Sequence, residues 1–266
     1  MTDAAHGKTA NRAGLRESVR QTSVMAYRVL LRIRRRPEEL ADVLIQPILF
    51  TLMFAYIFGG AISGDPVSYL PLLIPGILVQ SVIMGSVSTG AGLRDDMDKG
   101  VFDRFRSLPI ARAAPLAGAS VANIVRYAIV VALTFAMGAV MGLRAEGGLI
   151  GILAAGLLVT AVAWCISWIF ALIGVMVRSA AGVTGISMII LFPLTFLSNA
   201  FVPVDTLPPL LETVATVNPV SYLVTAVREL VNGAAITNDL WLSIAGAAVI
   251  VLIFAPLTVR AYMRKA

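Results

Sequence analysis

The sequence predicts an all-α polytopic membrane protein with six transmembrane helices. Of its 266 residues, 58% are hydrophobic and only 14% are charged, whereas roughly a quarter of the residues in a soluble domain are charged. The mean hydropathy is +0.88. The apolar residues also come in long runs, and a helix of about 20 apolar residues crosses a hydrocarbon core about 30 Å thick. Composition and run length together exclude an ordinary soluble fold.

Six apolar runs are long enough to be membrane spans. They cover approximately residues 41–61, 70–93, 115–143, 147–177, 181–202 and 240–262. The third and fourth runs are longer than a crossing needs. Those two helices are therefore expected either to tilt in the membrane or to project into water at their ends.

The basic residues predict that both termini are cytoplasmic. Eighteen of the 21 lysines and arginines fall on one side of the six predicted spans. They are Lys8, Arg12, Arg16, Arg20, Arg28, Arg32, Arg34, Arg35, Arg36, Arg94, Lys99, Arg104, Arg106, Arg112, Arg178, Arg260, Arg264 and Lys265. Lysine and arginine are enriched on the cytoplasmic flanks of spans, so this side faces the cytoplasm. The same bias explains the pI near 9.9 without nucleic-acid binding, because these residues are attracted to anionic headgroups.

Two N-terminal segments precede the first span. Residues 1–21 are predicted to be a flexible, basic cytoplasmic tail. In residues 22–37, Val24, Tyr27 and Leu30 recur at helical spacing, with arginines on the opposite side and Pro37 at the end. This pattern favours an amphipathic helix that lies along the membrane surface with its arginines among lipid phosphates. The alternative is a basic flank that only sets the topology.

The loop after the second span is unusually rich in aromatic and charged residues. It reads DDMDKGVFDRFRSLPIAR over residues 95–112. On a helix, Val101, Phe102, Phe105 and Leu108 form one apolar stripe with charges around it. Large aromatic side chains in a plain connecting loop would expose apolar area. We therefore expect the membrane surface or a cytoplasmic partner to cover the two phenylalanines, and the alternative is a short interfacial helix without a partner.

The segment before the last span, roughly residues 203–239, is too apolar for a solvated loop and too rich in proline for one clean span. Pro203, Pro208, Pro209 and Pro219 divide it into pieces of about ten residues, which are too short to cross a membrane. Two short helices that enter the outer leaflet and return fit this pattern. An amphipathic surface loop is the alternative.

Arg126 is the notable charge within the predicted spans. A central arginine costs about 2.5 to 3.5 kcal/mol on insertion scales. A partnered or cavity-facing arginine on the translocation path is therefore favoured over one that snorkels to the interface, although no acidic residue in the spans is an obvious partner. His6 and Cys165 are the only histidine and cysteine, so the sequence offers neither a metal site nor a catalytic triad. It also lacks the phosphate-binding motif G-x-x-x-x-G-K-[ST].

Several long segments resemble one family of membrane proteins. They are PILFTLMFAYIFGGAISG, LLIPGILVQS, KGVFDRFRSLPIAR, MIILFPLTFLSNAFVPVDTLP and VNPVSYLVTAVREL. In this order they resemble the membrane subunits of type-2 ABC exporters, most closely the daunorubicin and doxorubicin resistance permease group. The resemblance begins near Pro37 and implies a type-2 ABC transmembrane domain over residues 38–266.

The resemblance also implies partners and site residues. It implies a second permease copy, as a homodimer or a paralogous heterodimer, and two copies of a separate cytoplasmic ABC ATP-binding subunit. That subunit would hold ATP and Mg²⁺, and this chain would bind no cofactor. A cytoplasmic coupling helix, about residues 97–108, would dock in the ATPase through Asp98, Lys99, Gly100, Phe102, Asp103, Arg104, Phe105, Arg106, Leu108 and Pro109. A re-entrant pair of helices, about residues 203–229, would form an outer gate with Pro203, Asp205, Pro208, Pro209, Asn218 and Pro219.

The function implied by the resemblance is export of hydrophobic drugs or antibiotics, anthracycline-like in character, across the bacterial cell membrane. Export of a lipid, glycolipid or polyketide product by the same architecture is the first alternative. A non-transport membrane scaffold or a membrane enzyme is the second. The spans contain no clustered histidines, cysteines or paired carboxylates, which argues against the enzyme.

Overall fold

The structure is a computed structural model that describes residues 37–99 and 114–265, with the backbone alone at residues 37–44, 114–122, 205 and 265. Every regular element in these residues is a helix, which confirms the all-α prediction. The helices are α1 (Pro37–Ser63), α2 (Pro66–Asp98), α3 (Ala114–Met141), α4 (Gly148–Met176), α5 (Ala180–Phe196), α6 (Pro209–Val217), α7 (Pro219–Asn232) and α8 (Asn238–Lys265). A short 3₁₀ turn, Val204–Thr206, precedes α6. The predicted N-terminal tail and most of the interfacial helix lie outside these residues.

Each of the six predicted spans overlaps one helix, but the helix lengths differ from the prediction. Helices α1, α2, α3, α4 and α8 each contain a stretch long and apolar enough to cross a membrane. Helix α5 has 17 residues, or about 25 Å by helix rise, and ends six residues before the predicted boundary at residue 202. Helices α6 and α7 together pass the same test but bend by 75° at their junction. The described residues therefore hold five candidate spans, or six with the bent pair.

Helix α2 is longer than predicted, and a side chain caps its N-terminus. Its 33 residues extend about 50 Å, so it exceeds the hydrocarbon core. The carboxylate of Asp65 caps it by accepting hydrogen bonds from the amides of Val67 at 2.8 Å and Ser68 at 3.0 Å, and Pro66 needs no amide partner at the first helical position. Hydrogen bonds from Ser68 hold the pKa of Asp65 below its usual range. Gly64, with a φ of 84°, makes the turn from α1.

Helix α2 also forms the centre of the bundle. Of its apolar window, 83% is buried, whereas the windows of the other four candidate spans are between 17% and 33% buried. It packs against α1, α3, α4, α5 and α7. Its core side chains include Tyr69, Leu73, Ile77 and Ile83. The surrounding helices therefore keep large apolar faces that are free to contact lipid or another chain.

Helices α2 and α4 cross in direct backbone contact. A Cβ atom at Gly90 would lie 2.0 Å from the Phe170 oxygen, and one at Gly174 would lie 2.3 Å from the Gly90 oxygen. Both distances are far shorter than a van der Waals contact, so only glycine fits at this crossing. Small residues at helix crossings let backbones approach and pack closely, which is the main source of helix association in membranes.

Candidate functional site

The bent pair α6 and α7 follows the prolines that predicted it. Pro209 and Pro219 occupy the first positions of the two helices, and Pro208 and Asn218 are their N-cap residues. Pro203 precedes the 3₁₀ turn. The prediction of two short helices is confirmed, and their re-entrant course stays a prediction. Helix α7 extends to Asn232, beyond the predicted end near residue 229.

Asn218 joins the bent pair to the end of α5. Its Oδ1 accepts a hydrogen bond from the amide of Val220 at 2.9 Å, which caps α7. Its Nδ2 donates to the backbone oxygens of Leu194 at 2.7 Å and Leu197 at 3.0 Å, which are carbonyls that the last turn of α5 leaves without helical donors. The predicted run 181–202 stops being helical at Phe196, and a side chain from another segment satisfies carbonyls at this helix end.

Arg228 lies at the contact of three segments. Its Nη2 donates to the backbone oxygen of Leu72 in α2 at 3.2 Å and to that of Asn199, after α5, at 3.0 Å. Close by, the hydroxyl of Tyr69 donates to the Phe201 oxygen. Arg228 is one of the three basic residues outside the predicted cytoplasmic set of 18. Sequence reasoning missed that this arginine ties α7 to α2, because the periodicity of a short helix does not reveal its neighbours.

Asn232, one turn further along α7, satisfies a carbonyl that a proline leaves free. Pro75 lies inside α2 and has no N–H, so the oxygen of Pro71 lacks its usual helical donor. The Nδ2 of Asn232 donates to this oxygen at 3.3 Å. Pro71 and Pro75 are the features of the sequence that could have indicated this contact. A proline inside a membrane helix leaves a carbonyl without its helical donor, and a neighbouring segment can supply a substitute.

The far end of α7 is fixed to the start of α4. The amide of Gly147 donates to the Val231 oxygen at 2.9 Å, and a Cβ at Gly151 would lie 2.1 Å from the Leu230 oxygen. The buried carboxylate of Glu229 accepts a hydrogen bond from the amide of Thr237 at 3.0 Å. Helix α7 thus contacts the bundle along its whole length.

Arg126 in α3 contacts the neighbouring helix α2. Its Nη1 donates to the Ser88 hydroxyl at 2.6 Å. One turn earlier, the Nδ2 of the buried Asn123 donates to Thr89 Oγ1 at 2.7 Å. The two residues form a polar seam between α2 and α3 in which the guanidinium meets a hydroxyl. The role of Arg126 in a translocation path stays a prediction.

The C-terminal end of α2 carries charged residues, and one of them contacts the C-terminal end of α4. Arg94 Nε donates to Asp98 at 3.0 Å, and Arg94 Nη1 donates to the Val177 oxygen at 3.3 Å. Lys99 pairs with Asp95 at 2.5 Å. These two ion pairs have the four-residue spacing that supports a helix. Residues 97 and 98, predicted to begin a separate coupling helix, therefore continue α2.

Two of the ten predicted coupling residues are described. Asp98 is the last residue of α2 and Lys99 is its C-cap. The other eight lie outside the described residues: Gly100, Phe102, Asp103, Arg104, Phe105, Arg106, Leu108 and Pro109. Asp205 has a described backbone in the 3₁₀ turn but no described side chain. Within residues 37–99 and 114–265 there is no group of three or more His, Cys, Asp or Glu that could hold a metal ion.

Comparison with known proteins identifies the family of this chain. Residues 20–231 match the ABC-2 type transporter family. The chain is 40% identical to a daunorubicin resistance ABC transporter permease of Streptomyces coeruleorubidus, over 93% of this chain and 88% of that protein. It is 24% identical to a probable doxorubicin resistance ABC transporter permease of Mycobacterium tuberculosis, over 84% of this chain and 80% of that protein.

A relative from a third organism is similar over most of the chain. A putative transport permease of Cyanophora paradoxa is 24% identical, over 79% of this chain and 73% of that protein. The family match covers most of the chain, and the Streptomyces relative aligns along nearly all of it. With its several membrane-length helices, the chain is a multi-pass membrane protein that belongs to the ABC-2 type transporter family.

Proposed function

We propose that this chain is the membrane-spanning permease subunit of an ATP-driven exporter that moves hydrophobic, anthracycline-like drugs out of a bacterial cell. The observation that carries this proposal is the 40% identity, over 93% of the chain, to a permease for daunorubicin resistance. Family membership implies an ABC ATP-binding subunit as partner, so ATP and Mg²⁺ would bind there and not to this chain.

The proposed topology has six spans with both termini in the cytoplasm. Helices α1 to α5 and α8 would each cross the membrane, and the bent pair would enter the outer leaflet and return. The charge distribution supports this arrangement, because Arg94 and Lys99 at the end of α2, Arg178 after α4, and Arg260 and Arg264 near the end of α8 would all be cytoplasmic. Helix α5, at about 25 Å, is shorter than a hydrocarbon core of about 30 Å, so the bilayer would thin locally around it.

The proposed ATPase contact begins at the cytoplasmic end of α2. The ends of three helices meet there: Leu93 of α2, Val175 of α4 and Tyr262 of α8 belong to one apolar cluster. Arg94 also connects α2 to the carbonyl of Val177. A force applied to Asp98, Lys99 and the residues up to Pro109 would therefore reach α2, and through α2 the centre of the bundle. Two ATPase copies and a second permease copy would complete the transporter.

The proposed outer gate is the bent pair with its anchoring residues. Pro203, Asp205, Pro208 and Pro209 would shape its entry, and Asn218 and Pro219 its bend. Helix α6, set at 75° to α7, would move as a unit while α7 keeps its contacts with α2 and α4. Such a pair can close the outer end of the bundle against water without crossing the membrane.

Drug resistance of whole cells tests this function directly. The chain would be expressed with its ATPase in a strain sensitive to anthracyclines, and daunorubicin susceptibility and energised efflux would be measured. We expect at least a fourfold rise in the inhibitory concentration that disappears when the ATPase carries a substitution of its phosphate-binding lysine. Unchanged daunorubicin efflux, together with ATPase-dependent appearance of a lipid or glycolipid outside the cell, would instead establish the alternative cargo.

A further inference from the structure

An apolar cavity lies between α7 of the bent pair and the neighbouring spans. It has a volume of about 150 Å³ and is formed mainly by α4, α5, α7 and α8. Its lining includes Ile166, Phe170, Leu191, Leu223, Ala247 and Ile250. Ile190 and Leu242, which also line it, are about half exposed. The cavity therefore opens sideways, onto the apolar outer face of the helices.

One buried hydroxyl in this lining lacks a hydrogen-bond partner. Ser243 is only 7% exposed, and its Oγ has no partner among the described residues. A serine in a helix commonly donates back to a carbonyl of the preceding turn, but Ser243 does not. A buried hydroxyl favours an acceptor, because leaving it unpaired costs free energy. Because the Oγ atom itself is closed off from a water-sized molecule, it would have to turn about χ1 to donate to an oxygen that a molecule in the cavity presents beside Ser243.

The position of Ser243 along α8 indicates what kind of molecule this is. Residues 233–238 before and at the start of α8 are exposed, and Ser243 lies five residues into the helix, or about 8 Å by helix rise. The polar interface on each side of a hydrocarbon core is about 5 to 7 Å thick. Three other α8 residues of the cavity, Gly246, Ala247 and Ile250, lie deeper. The hydroxyl is thus at the depth of lipid ester groups, and the apolar lining reaches into the hydrocarbon.

The cavity encloses only enough space for part of an anthracycline. An apolar cavity of about 150 Å³ holds a molecule the size of benzene, and four fused rings with a sugar are several times larger. A segment of a hydrocarbon chain fits both this volume and the sideways opening. We propose that the cavity binds one acyl chain of a membrane glycerophospholipid, whose ester carbonyl accepts a hydrogen bond from Ser243.

The bound chain would connect the bent pair to the spans. It would pack between Leu223 of α7, Leu191 of α5 and Ala247 of α8. Occupancy would therefore favour the arrangement in which these three helices are together. This inference depends on α8 crossing the membrane, as in the proposed topology, but it requires neither ATP nor a transported drug.

Photolabelling of the purified full chain tests the site. The protein would be reconstituted in phosphatidylcholine nanodiscs that contain a small fraction of phosphatidylcholine with a diazirine in one acyl chain, and cross-linked peptides would be mapped by mass spectrometry. We expect labelling of the α7 and α8 peptides that line the cavity to exceed labelling of the exposed α1 surface several-fold. Equal labelling of the two regions would overturn the proposal.

A matched pair of glycine substitutions links the label to the cavity. Gly246 lines the cavity, whereas Gly185 in α5 does not, and a Cβ at either position would meet no atom within 4 Å. We expect Gly246→Leu to fill the cavity and to reduce α7 and α8 labelling at least threefold, while Gly185→Leu leaves it unchanged. Equal labelling of the two variants, both monodisperse on size exclusion, would contradict the proposal.

A second lipid probe tests the role of the Ser243 hydroxyl. This experiment does not use the Gly246→Leu variant, so it tests the proposal even if that variant fails to fold. We expect Ser243→Ala to lower labelling by the ester-linked probe to the level given by an ether-linked probe, which has no carbonyl, and to leave ether-probe labelling unchanged. An equal loss with both probes would overturn the ester contact. Displacement of the label by daunorubicin at micromolar concentration would assign the cavity to cargo and overturn its assignment to lipid.

Discussion

Arg228 in α7 donates a hydrogen bond of 3.2 Å to the backbone oxygen of Leu72, a residue 156 positions earlier in α2. The same Nη2 atom reaches the Asn199 oxygen. One side chain therefore joins the bent pair, the central helix and the connection that follows α5. The donor carries a charge, so each hydrogen bond is stronger than one between neutral groups.

Arg228→Met is expected to lower the free energy of unfolding by about 2 to 3 kcal/mol. Methionine keeps much of the apolar stem but leaves two backbone oxygens without their charged donor, and hydrogen bonds to charged groups contribute about 1.5 to 3 kcal/mol. Denaturant titration of the purified chain in detergent measures the change in the free energy of unfolding. Arg144→Met is the control, because Arg144 lies on the same side of the membrane in the proposed topology but is exposed. Equal stability of the two variants would refute the role of Arg228.

Asn232 and Pro75 are expected to be energetically coupled. In the native chain, Asn232→Ala removes the donor to the Pro71 oxygen and should cost about 1 kcal/mol. In a Pro75→Ala background, the new amide of residue 75 can donate to the same oxygen, so Asn232→Ala should cost almost nothing. A double-mutant cycle on the free energy of unfolding gives the coupling energy. A coupling energy of zero would show that Asn232 does not compensate for the proline.

These polar contacts mark the limit of what the sequence predicts. The apolar runs predict each long helix because a span must be apolar along its length, and the prolines predict the break between α6 and α7. The early end of α5 was not predicted from hydropathy, since Leu197 and Val202 are as apolar as the helix before them. The carbonyls at this end accept hydrogen bonds from Asn218, more than 20 residues later, a contact that local hydropathy does not reveal. The interior position of Arg228 depends in the same way on a distant partner.

Arg126→Leu is expected to insert into the membrane at least as well as the native chain and to reduce efflux about tenfold. Insertion improves because leucine replaces an arginine whose insertion at the centre of a span costs about 3 kcal/mol. Efflux falls if the contact between Arg126 and Ser88 holds α3 against α2 during transport, since loss of about 1.4 kcal/mol corresponds to a factor of ten. Drug efflux at matched membrane expression measures this effect.

Ser88→Ala separates the contact from the charge. It removes the hydroxyl acceptor and keeps the arginine, so we expect an intermediate loss of efflux. Ser86→Ala is the control, because the Ser86 hydroxyl donates to the backbone oxygen of Ile83 within its own helix. Native efflux in Arg126→Leu would indicate an arginine that only snorkels to the interface.

The double substitution Phe102→Ala with Phe105→Ala is expected to reduce co-purification of the ATPase at least tenfold and to abolish efflux, with normal insertion. Anchor residues at an interface typically cost 2 kcal/mol or more when they are truncated, and neither phenylalanine lies in a predicted span. The control is Leu149→Ala with Ile150→Ala, two highly exposed apolar residues near the start of α4, on the opposite side in the proposed topology. Normal co-purification with the phenylalanine variant would exclude the coupling assignment.

Single cysteines at Asp205 and Asn238 are both expected to react with a membrane-impermeant thiol reagent added to intact cells. Asp205 lies in the 3₁₀ turn before α6, and Asn238 is the exposed first residue of α8. The free thiol of Cys165 would first be removed by Cys165→Ala. If the bent pair enters the outer leaflet and returns, its two flanks share one side of the membrane.

The expected result of this labelling follows from the number of membrane crossings and from the positions of the basic residues. A crossing by the bent pair, added to six other crossings, would move Arg260 and Arg264 away from the side that holds Arg94 and Lys99, against the distribution of basic residues that cytoplasmic flanks show. Helix α7 also begins at Pro219 with a bend of 75°, which shortens the path that the pair can follow through the membrane. Labelling of one cysteine from outside and of the other only after permeabilisation would mean that the pair crosses. In that case either α5, the shortest of the proposed spans, does not cross, or the tail of α8 lies outside the cytoplasm.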